Sequence, residues 1–245
     1  MSSPLPVPSA NAGVSELLAA GTRLFRLALP KCLPTAMVAA LISQAPGLLL
    51  EAQGQQLKIF EPPTDPRFWV EYGIALVLVI LLFTVVTVRQ RALLRGTAPD
   101  LRREVGQVFA RMPVLLPASL LALLAYCAGV ILFVLPGIYL LVCFAVLPSV
   151  VMFEDHTVFG SLKRCIQLMH TRWVQKFAVF VIGFLIALVC ILFAALLVGV
   201  LLQAVAGNAI VQALQRALYM GFYAVMWNYL NSLCLVLYTS ASSSA

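Results

Sequence analysis

The feature that most constrains the fold is a stretch of 42 residues, Met112 to Phe153, without a single charged side chain. One straight helix of that length would extend about 63 Å, roughly twice the thickness of the hydrocarbon core of a bilayer. The stretch must therefore fold back on itself. Pro136-Gly137 is the natural turn, because proline lacks an N–H donor and glycine tolerates positive φ. We predict two spans here, Met112–Leu135 and Ile138–Phe153.

Four further apolar runs are each long enough to cross a bilayer. They are Leu33–Leu50, Trp69–Val88, Phe177–Leu202 and a last run near Leu218–Tyr238, whose start is left open back to about Ile210. Only 10% of the residues are charged, against about 25% in soluble domains, and the mean hydropathy is +1.02. The sequence therefore predicts an all-α, polytopic transmembrane helical bundle with six spans. Residues 12–245 form one domain, preceded by a flexible tail at residues 1–11, and Pro148 kinks the short fourth span.

Lysine and arginine are distributed very unevenly between the two sides of this arrangement. Thirteen of the sixteen fall before the first span, between the second and third, or between the fourth and fifth. Cytoplasmic loops of membrane proteins carry such an excess, so we expect both termini in the cytoplasm. Anionic lipid explains the net charge of +7, and no nucleic-acid partner is expected.

Each of the three basic segments leads directly into a span. Two of them share a local pattern, Phe25 followed by Pro30 and Pro34, and Phe109 followed by Pro113 and Pro117. Proline is tolerated in the first turn of a helix, so these prolines predict the entry into a span after a separate amphipathic helix on the cytoplasmic interface. The expected contacts with anionic lipid are Arg102, Arg103, Lys163, Arg164 and Arg172.

The last span has one polar and aromatic face. Tyr219, Tyr223, Trp227 and Asn231 recur every four residues and therefore lie on the same side of a helix. Such a face can line a groove for a substrate or lipid. It can equally pack against neighbouring helices, where polar side chains form hydrogen bonds. Both interpretations stay open.

No residue pattern predicts an enzyme, a cofactor site or a metal site. Glu154-Asp155-His156 and His170 fit no metal-ligand spacing, and we expect a solvated loop at this junction. Cys165, in a basic polar segment, is the one cysteine outside the apolar runs and is a candidate reactive thiol. Charged residues are missing from the middle of every predicted span, which argues against an ion-coupled transporter or an intramembrane protease.

One segment resembles a known family. Between Leu135 and Lys176, a Pro-Gly pair, a short span with proline, an acidic junction and a basic helix ending in tryptophan follow one another. The residues that carry the resemblance are Pro136, Gly137, Pro148, Val158, Phe159, Ser161, Arg164 and Trp173, and Cys165 stands where a serine is expected. The segment is similar to the YciC-like family of six-span bacterial inner-membrane proteins. The resemblance implies that location and a helical bundle, and it supplies neither a reaction nor catalytic residues.

The sequence thus favours a non-enzymatic structural or interaction protein of the inner membrane. Its expected partners are membrane lipids, with a partner subunit or a second copy of the chain as a further possibility. The alternative is a passive small-solute transporter or a lipid-handling protein that uses the face from Tyr219 to Asn231. A cavity beside that face would favour the alternative, and close packing would favour the first interpretation.

Overall fold

The computed structural model describes residues 8–9, 11–52, 65–203 and 209–243. Within these ranges the chain is helical and contains no strand. The helices are α1 (Val14–Ala52), α2 (Pro66–Leu94), α3 (Leu101–Leu132), α4 (Val134–Phe144), α5 (Leu147–Phe153), α6 (Val158–His170), α7 (Trp173–Gln203) and α8 (Ala209–Ser242). The predicted tail, residues 1–11, lies mostly outside the described residues.

Six helical segments are long and apolar enough to cross a membrane, which confirms the predicted all-α bundle of six spans. They are Val14–Leu50, Pro66–Leu94, Leu101–Leu132, Leu135–Phe153, Trp173–Gly199 and Gln215–Ser242. The chain is thus an integral, multi-pass membrane protein. Its α7 presents exposed leucine, isoleucine and phenylalanine along most of its length, as expected where the surrounding solvent is lipid.

The fourth span consists of α4 and α5, separated by a break at Ala145 and Val146. Pro148 is the second residue of α5. Its missing N–H falls among the first N–H groups of a helix, which have no intrahelical acceptor in any case. The predicted kink in this span is therefore confirmed.

The turn between the third and fourth spans lies slightly earlier than predicted. The chain changes direction at Phe133, which is extended, and Pro136 and Gly137 lie in the first turn of α4. Gly137 acts through close approach and not through a positive φ. A Cβ atom on Gly137 would lie 2.9 Å from the backbone nitrogen of Val130, and one on Gly129 would lie 3.1 Å from the Cα of Gly137. Two glycines thus let α3 and α4 meet backbone to backbone.

Two of the three predicted interfacial helices are not separate helices. The first basic segment is continuous with its span in α1, and the second is continuous with its span in α3. The prolines predicted in first helical turns lie inside these helices instead. They are Pro30 and Pro34 in α1, and Pro113 and Pro117 in α3, all on exposed faces. Each proline removes one backbone hydrogen bond there, on a face of the helix that is not packed against a neighbour.

The third basic segment does form a separate amphipathic helix, α6. Its buried face, which includes Ser161, Cys165 and Leu168, packs on α3, α4, α5 and α8. The apolar face of α6 is therefore covered by protein, whereas the sequence predicted that it would face lipid.

Helix α8 lies between α1 and α7 and organises the bundle. Leu233 is buried, and its two terminal methyl groups occupy the space that a Cβ would need at Gly21 of α1 and at Gly183 of α7. Phe25 of α1 makes an edge contact with Tyr229 of α8, with ring centroids 5.4 Å apart. Small residues on the outer helices thus accept large residues from the central one, a common packing mode in membranes.

Gly137→Ala should destabilise the bundle by about 1–3 kcal/mol, because the added Cβ meets the backbone nitrogen and Cα of Val130 as well as its side chain, and a rotation of that side chain would not relieve the backbone contacts. Gly106→Ala in α3 is the matched control, since nothing lies within 4 Å of its added Cβ. The measurement is the temperature at which the purified protein in detergent no longer gives a monodisperse peak in size-exclusion chromatography. Equal temperatures for the two variants would contradict the close contact at Gly137.

Candidate functional site

The candidate site lies at the end of the bundle where most of the basic residues are found, here called the basic end. The start of α1, the α2–α3 connection, the junction between α5 and α7, and the end of α8 meet there. Three contacts join the chain before α1, the region from α5 to the start of α7, and the end of α8. Ser240 donates a hydrogen bond to the carbonyl oxygen of Ser9, Gln175 donates to that of Ala12, and Tyr238 donates to Glu154.

A buried ion pair joins three helices at the basic end. Arg89 of α2 donates from Nε and Nη2 to Oε2 of Glu104 in α3, at 2.8 and 2.7 Å. Its Nη1 donates to the carbonyl oxygen of Lys31 in α1 at 2.9 Å and to the hydroxyl of Thr35 at 3.3 Å. The two side chains are only 11% and 5% exposed. Oε1 of Glu104 is buried and has no hydrogen-bond partner among the described residues.

A polar seam runs between α2 and α8. Gln90 is fully buried and donates to the carbonyl oxygen of Asn228 at 3.1 Å, and Thr87 donates to Oδ1 of Asn231 at 3.0 Å. Within the described ranges, Oε1 of Gln90 and Nδ2 of Asn231 are buried without a hydrogen-bond partner. The seam therefore joins α2 to α8 through polar side chains while leaving one acceptor and one donor unused.

The polar and aromatic face predicted on the last span is divided between packing and exposure. Trp227 lies against Phe83 of α2 with ring centroids 5.2 Å apart, and Tyr223 is 6.0 Å from Trp227. Asn231 belongs to the seam with α2, whereas Tyr219 is largely exposed and accepts a long hydrogen bond from Gln215. These contacts favour helix packing as the role of Trp227 and Asn231.

The junction after α5 is solvated only in part: Asp155 and His156 are exposed, as predicted, whereas Glu154 is enclosed. Its Oε2 accepts from Nε of Arg164 at 2.8 Å and lies 2.9 Å from Nε2 of His156. Its Oε1 accepts from Tyr238 at 3.1 Å. The guanidinium of Arg91 stacks on the ring of Phe153, 3.6 Å from the centroid. Sequence reasoning missed this cluster because its members come from four separate parts of the chain, and no local spacing joins them.

Asp155, the next residue, is solvent-exposed and pairs with Arg111 of α3. The hydrogen bond and the positive charge of Arg111 hold the pKa of the Asp155 carboxyl below its ordinary value. Asp155 therefore stays ionised at neutral pH.

The candidate reactive thiol is not accessible. Cys165 lies on the buried face of α6, and burial raises the pKa of its thiol well above the ordinary value, with Cys143 and Glu154 contributing further. A thiol without thiolate character is a poor nucleophile and a poor metal ligand. In the part of the chain that the structure describes, no three histidine, cysteine, aspartate or glutamate residues are grouped so that they could hold a metal ion.

The five expected lipid contacts divide into two groups. Arg164 is paired with Glu154 and only 26% exposed, so its charge is already compensated. Arg102, Arg103, Lys163 and Arg172 are exposed. Arg103 makes a loose, exposed contact of 3.4 Å with Asp100. Within the described ranges, no carboxylate lies within 4 Å of the charged groups of Arg102, Lys163 or Arg172.

No protein-family model, curated protein or solved structure matches this chain. Membership of the YciC-like family therefore stays a prediction from the residues between Leu135 and Lys176.

Glu104→Gln should destabilise the protein by about 3–5 kcal/mol, because it leaves the Arg89 charge buried without a counter-charge. Asp100→Asn is the matched control: its ion pair is exposed, and asparagine still caps α3, so the expected loss is below about 1 kcal/mol. Thermal inactivation in detergent measures both. The double variant Arg89→Met/Glu104→Leu should recover part of the loss, and a double variant less stable than Glu104→Gln would argue against this account.

Proposed function

We propose that this integral membrane protein is a non-enzymatic structural or interaction protein of a bacterial inner membrane, whose basic end binds the headgroups of anionic lipids. Both termini then lie in the cytoplasm. One observation carries the proposal: the enclosed carboxylates Glu104 and Glu154 pair with inner cations, so they do not compensate the exposed ones. Among the described residues, Arg102 and Lys163 have no carboxylate within 4 Å, and Arg103 has only a loose, exposed contact with Asp100.

The inner group consists of Glu104 with Arg89, and Glu154 with Arg164. The outer group comprises Arg102, Arg103 and Lys163, here called the rim cations, which lie on α3 and α6. Each cation near an anionic leaflet contributes about 1 kcal/mol of attraction. Exposed aromatic rings accompany them, Phe109 on α3 and Phe159 on α6. Cations beside exposed aromatic rings are typical of a surface that contacts lipid headgroups.

The second candidate function is the passive passage or handling of a small polar solute or lipid along the last span. The unused acceptor on Gln90 and the unused donor on Asn231 favour it, because a bound polar group could satisfy both. Close packing of Trp227 on Phe83 opposes it.

Neutralising the rim cations tests the proposal. The triple variant Arg102→Gln/Arg103→Gln/Lys163→Gln should lose about 3 kcal/mol of preference for phosphatidylglycerol over phosphatidylcholine. The measurement is the ratio of the two lipids retained by the protein after reconstitution in a mixed bilayer and gentle extraction. Arg67→Gln, at the opposite end of α2, is the control and should keep the ratio of the unmodified protein.

The retained ratio of the unmodified protein should also fall as the salt concentration rises, because exposed charges are screened. A triple variant that keeps the ratio of the control would contradict the proposed function.

A further inference from the structure

A small pocket lies at the basic end, apart from the rim cations. Its volume is about 80 Å³, and it is enclosed by the start of α1, the turn between α6 and α7, and the end of α8. Arg172, Lys176, Thr171, Asn11 and Ser240 contribute its polar groups. None of the residues that line it is a carboxylate, although two are cations.

An unusual turn builds the pocket. Arg172 has a φ of 56° and is the one non-glycine residue with positive φ among those described. A side chain in this conformation is disfavoured, since the left-handed region suits glycine. The turn lets α7 begin directly after α6, at Trp173, and aims the first N–H groups of α7 towards the turn. The N–H groups of Gln175 and Lys176 donate to the carbonyl oxygen of Arg172, whereas those of Trp173 and Val174 have no acceptor within α7 and lie at the positive end of its dipole.

The hydrogen bonds that hold the walls of the pocket use the hydroxyl of Ser240 but leave donors on both cations. Gln175 donates to the carbonyl oxygen of Ala12, and Ser240 donates to that of Ser9, which fixes the start of α1. Lys176 donates one hydrogen bond to the carbonyl oxygen of Leu168 and keeps two further N–H groups. The Arg172 guanidinium, with five N–H donors, has no carboxylate within 4 Å in the described ranges.

Two cations, a hydroxyl and a helix start without a nearby carboxylate favour a ligand with several negatively charged oxygens. The volume of about 80 Å³ is enough for several water molecules or one tetrahedral oxyanion.

We propose that this pocket binds one phosphate group, with Arg172 and Lys176 as its charged contacts. The proposal rests on the proposed function and refines it, because the phosphate of a phospholipid headgroup has this chemistry. Trp173 adjoins the pocket and lies 5.6 Å from Tyr139 and 5.3 Å from Phe177 between ring centroids, an aromatic group typical of headgroup depth. From there the exposed apolar face of α7, beginning at Val174, is available to acyl chains. A free phosphate ion offers the same oxygens without the chains.

Arg172→Gly tests the site without endangering the fold, because it removes the guanidinium and places glycine where the backbone favours it. Arg172→Lys keeps a cation, and Arg67→Gln, at the opposite end of α2, is the control for the loss of an exposed cation outside the basic end. Native mass spectrometry of the full-length protein in detergent, titrated separately with phosphatidylglycerol and with inorganic phosphate, measures the first bound molecule.

Arg172→Gly should bind the first phosphatidylglycerol about tenfold more weakly, as expected when a charged hydrogen bond is lost. Arg67→Gln and the unmodified protein should bind it equally, and the affinity of Arg172→Lys should lie between those of Arg172→Gly and the unmodified protein. If inorganic phosphate displaces this first lipid from the unmodified protein but not from Arg172→Gly, the lipid phosphate group binds in the pocket. Binding of inorganic phosphate alone, with no Arg172-dependent lipid, would support the oxyanion site and assign it to the free ion.

Equal binding of both probes by Arg172→Gly and by the unmodified protein would overturn the proposal. That outcome is distinct from failure of the proposed function, which appears as an unchanged lipid ratio in the rim-cation variant. The rim-cation variant keeps Arg172. It should therefore retain the first tightly bound phosphatidylglycerol even if it loses the overall preference for phosphatidylglycerol over phosphatidylcholine.

Discussion

The ion pair between Arg89 and Glu104 is the interaction on which the arrangement of the basic end depends. It connects α2 to α3 through two hydrogen bonds to one carboxylate oxygen, and α2 to α1 through Lys31 and Thr35. Separating the partners would leave a charge buried without compensation, which costs far more than the intact pair contributes. The three helices are thus restrained to one relative position, in which Gln90 and Thr87 on neighbouring turns of α2 reach Asn228 and Asn231 of α8.

A division of charge follows from this arrangement. Glu104 and Glu154 face inwards and neutralise Arg89 and Arg164, so the fold uses its enclosed carboxylates for its own cohesion. Arg91 also lies inside, against the ring of Phe153. The exposed cations include Arg102, Arg103 and Lys163 on α3 and α6, and Arg172 at the turn before α7. The same basic segments therefore serve two purposes. Their inner members hold helices together, and their outer members form the surface that the proposed function assigns to lipid headgroups.

The span count could be predicted from the sequence because bilayer thickness sets helix length, and the uncharged stretch up to Phe153 had only one way to satisfy it. The kink at Pro148 could also be predicted, because it depends on the effect of a proline on its own helix. The continuity of α1 and α3 could not be predicted from the sequence, because Pro30 and Pro113 do interrupt backbone hydrogen bonds. Only the packed bundle shows that these prolines lie on exposed faces, where the helix continues despite the lost hydrogen bonds. Local patterns describe what a residue does to its own helix, and tertiary packing decides whether the helix continues.

The site was even less visible in the sequence. Glu154 accepts hydrogen bonds from residues 10 and 84 positions away, separations that correspond to no motif. The phosphate pocket depends on the left-handed backbone of Arg172, for which an arginine gives no signal. The polar residues of the last span could be predicted to share one face. Which of them contact α2 and which are exposed could not, because that depends on how α8 is rotated about its axis in the bundle.

The central claim is that the six spans place the exposed cations on the cytoplasmic side. Labelling of single cysteines in intact bacterial cells with a membrane-impermeant maleimide tests it most directly. The cysteines are introduced by Lys163→Cys at the basic end and Glu71→Cys at the other end, both at exposed positions, with Cys127 and Cys190 replaced by serine. We expect Glu71→Cys to react in intact cells and Lys163→Cys to react only after the membrane is opened. Reaction of Lys163→Cys in intact cells would contradict the account.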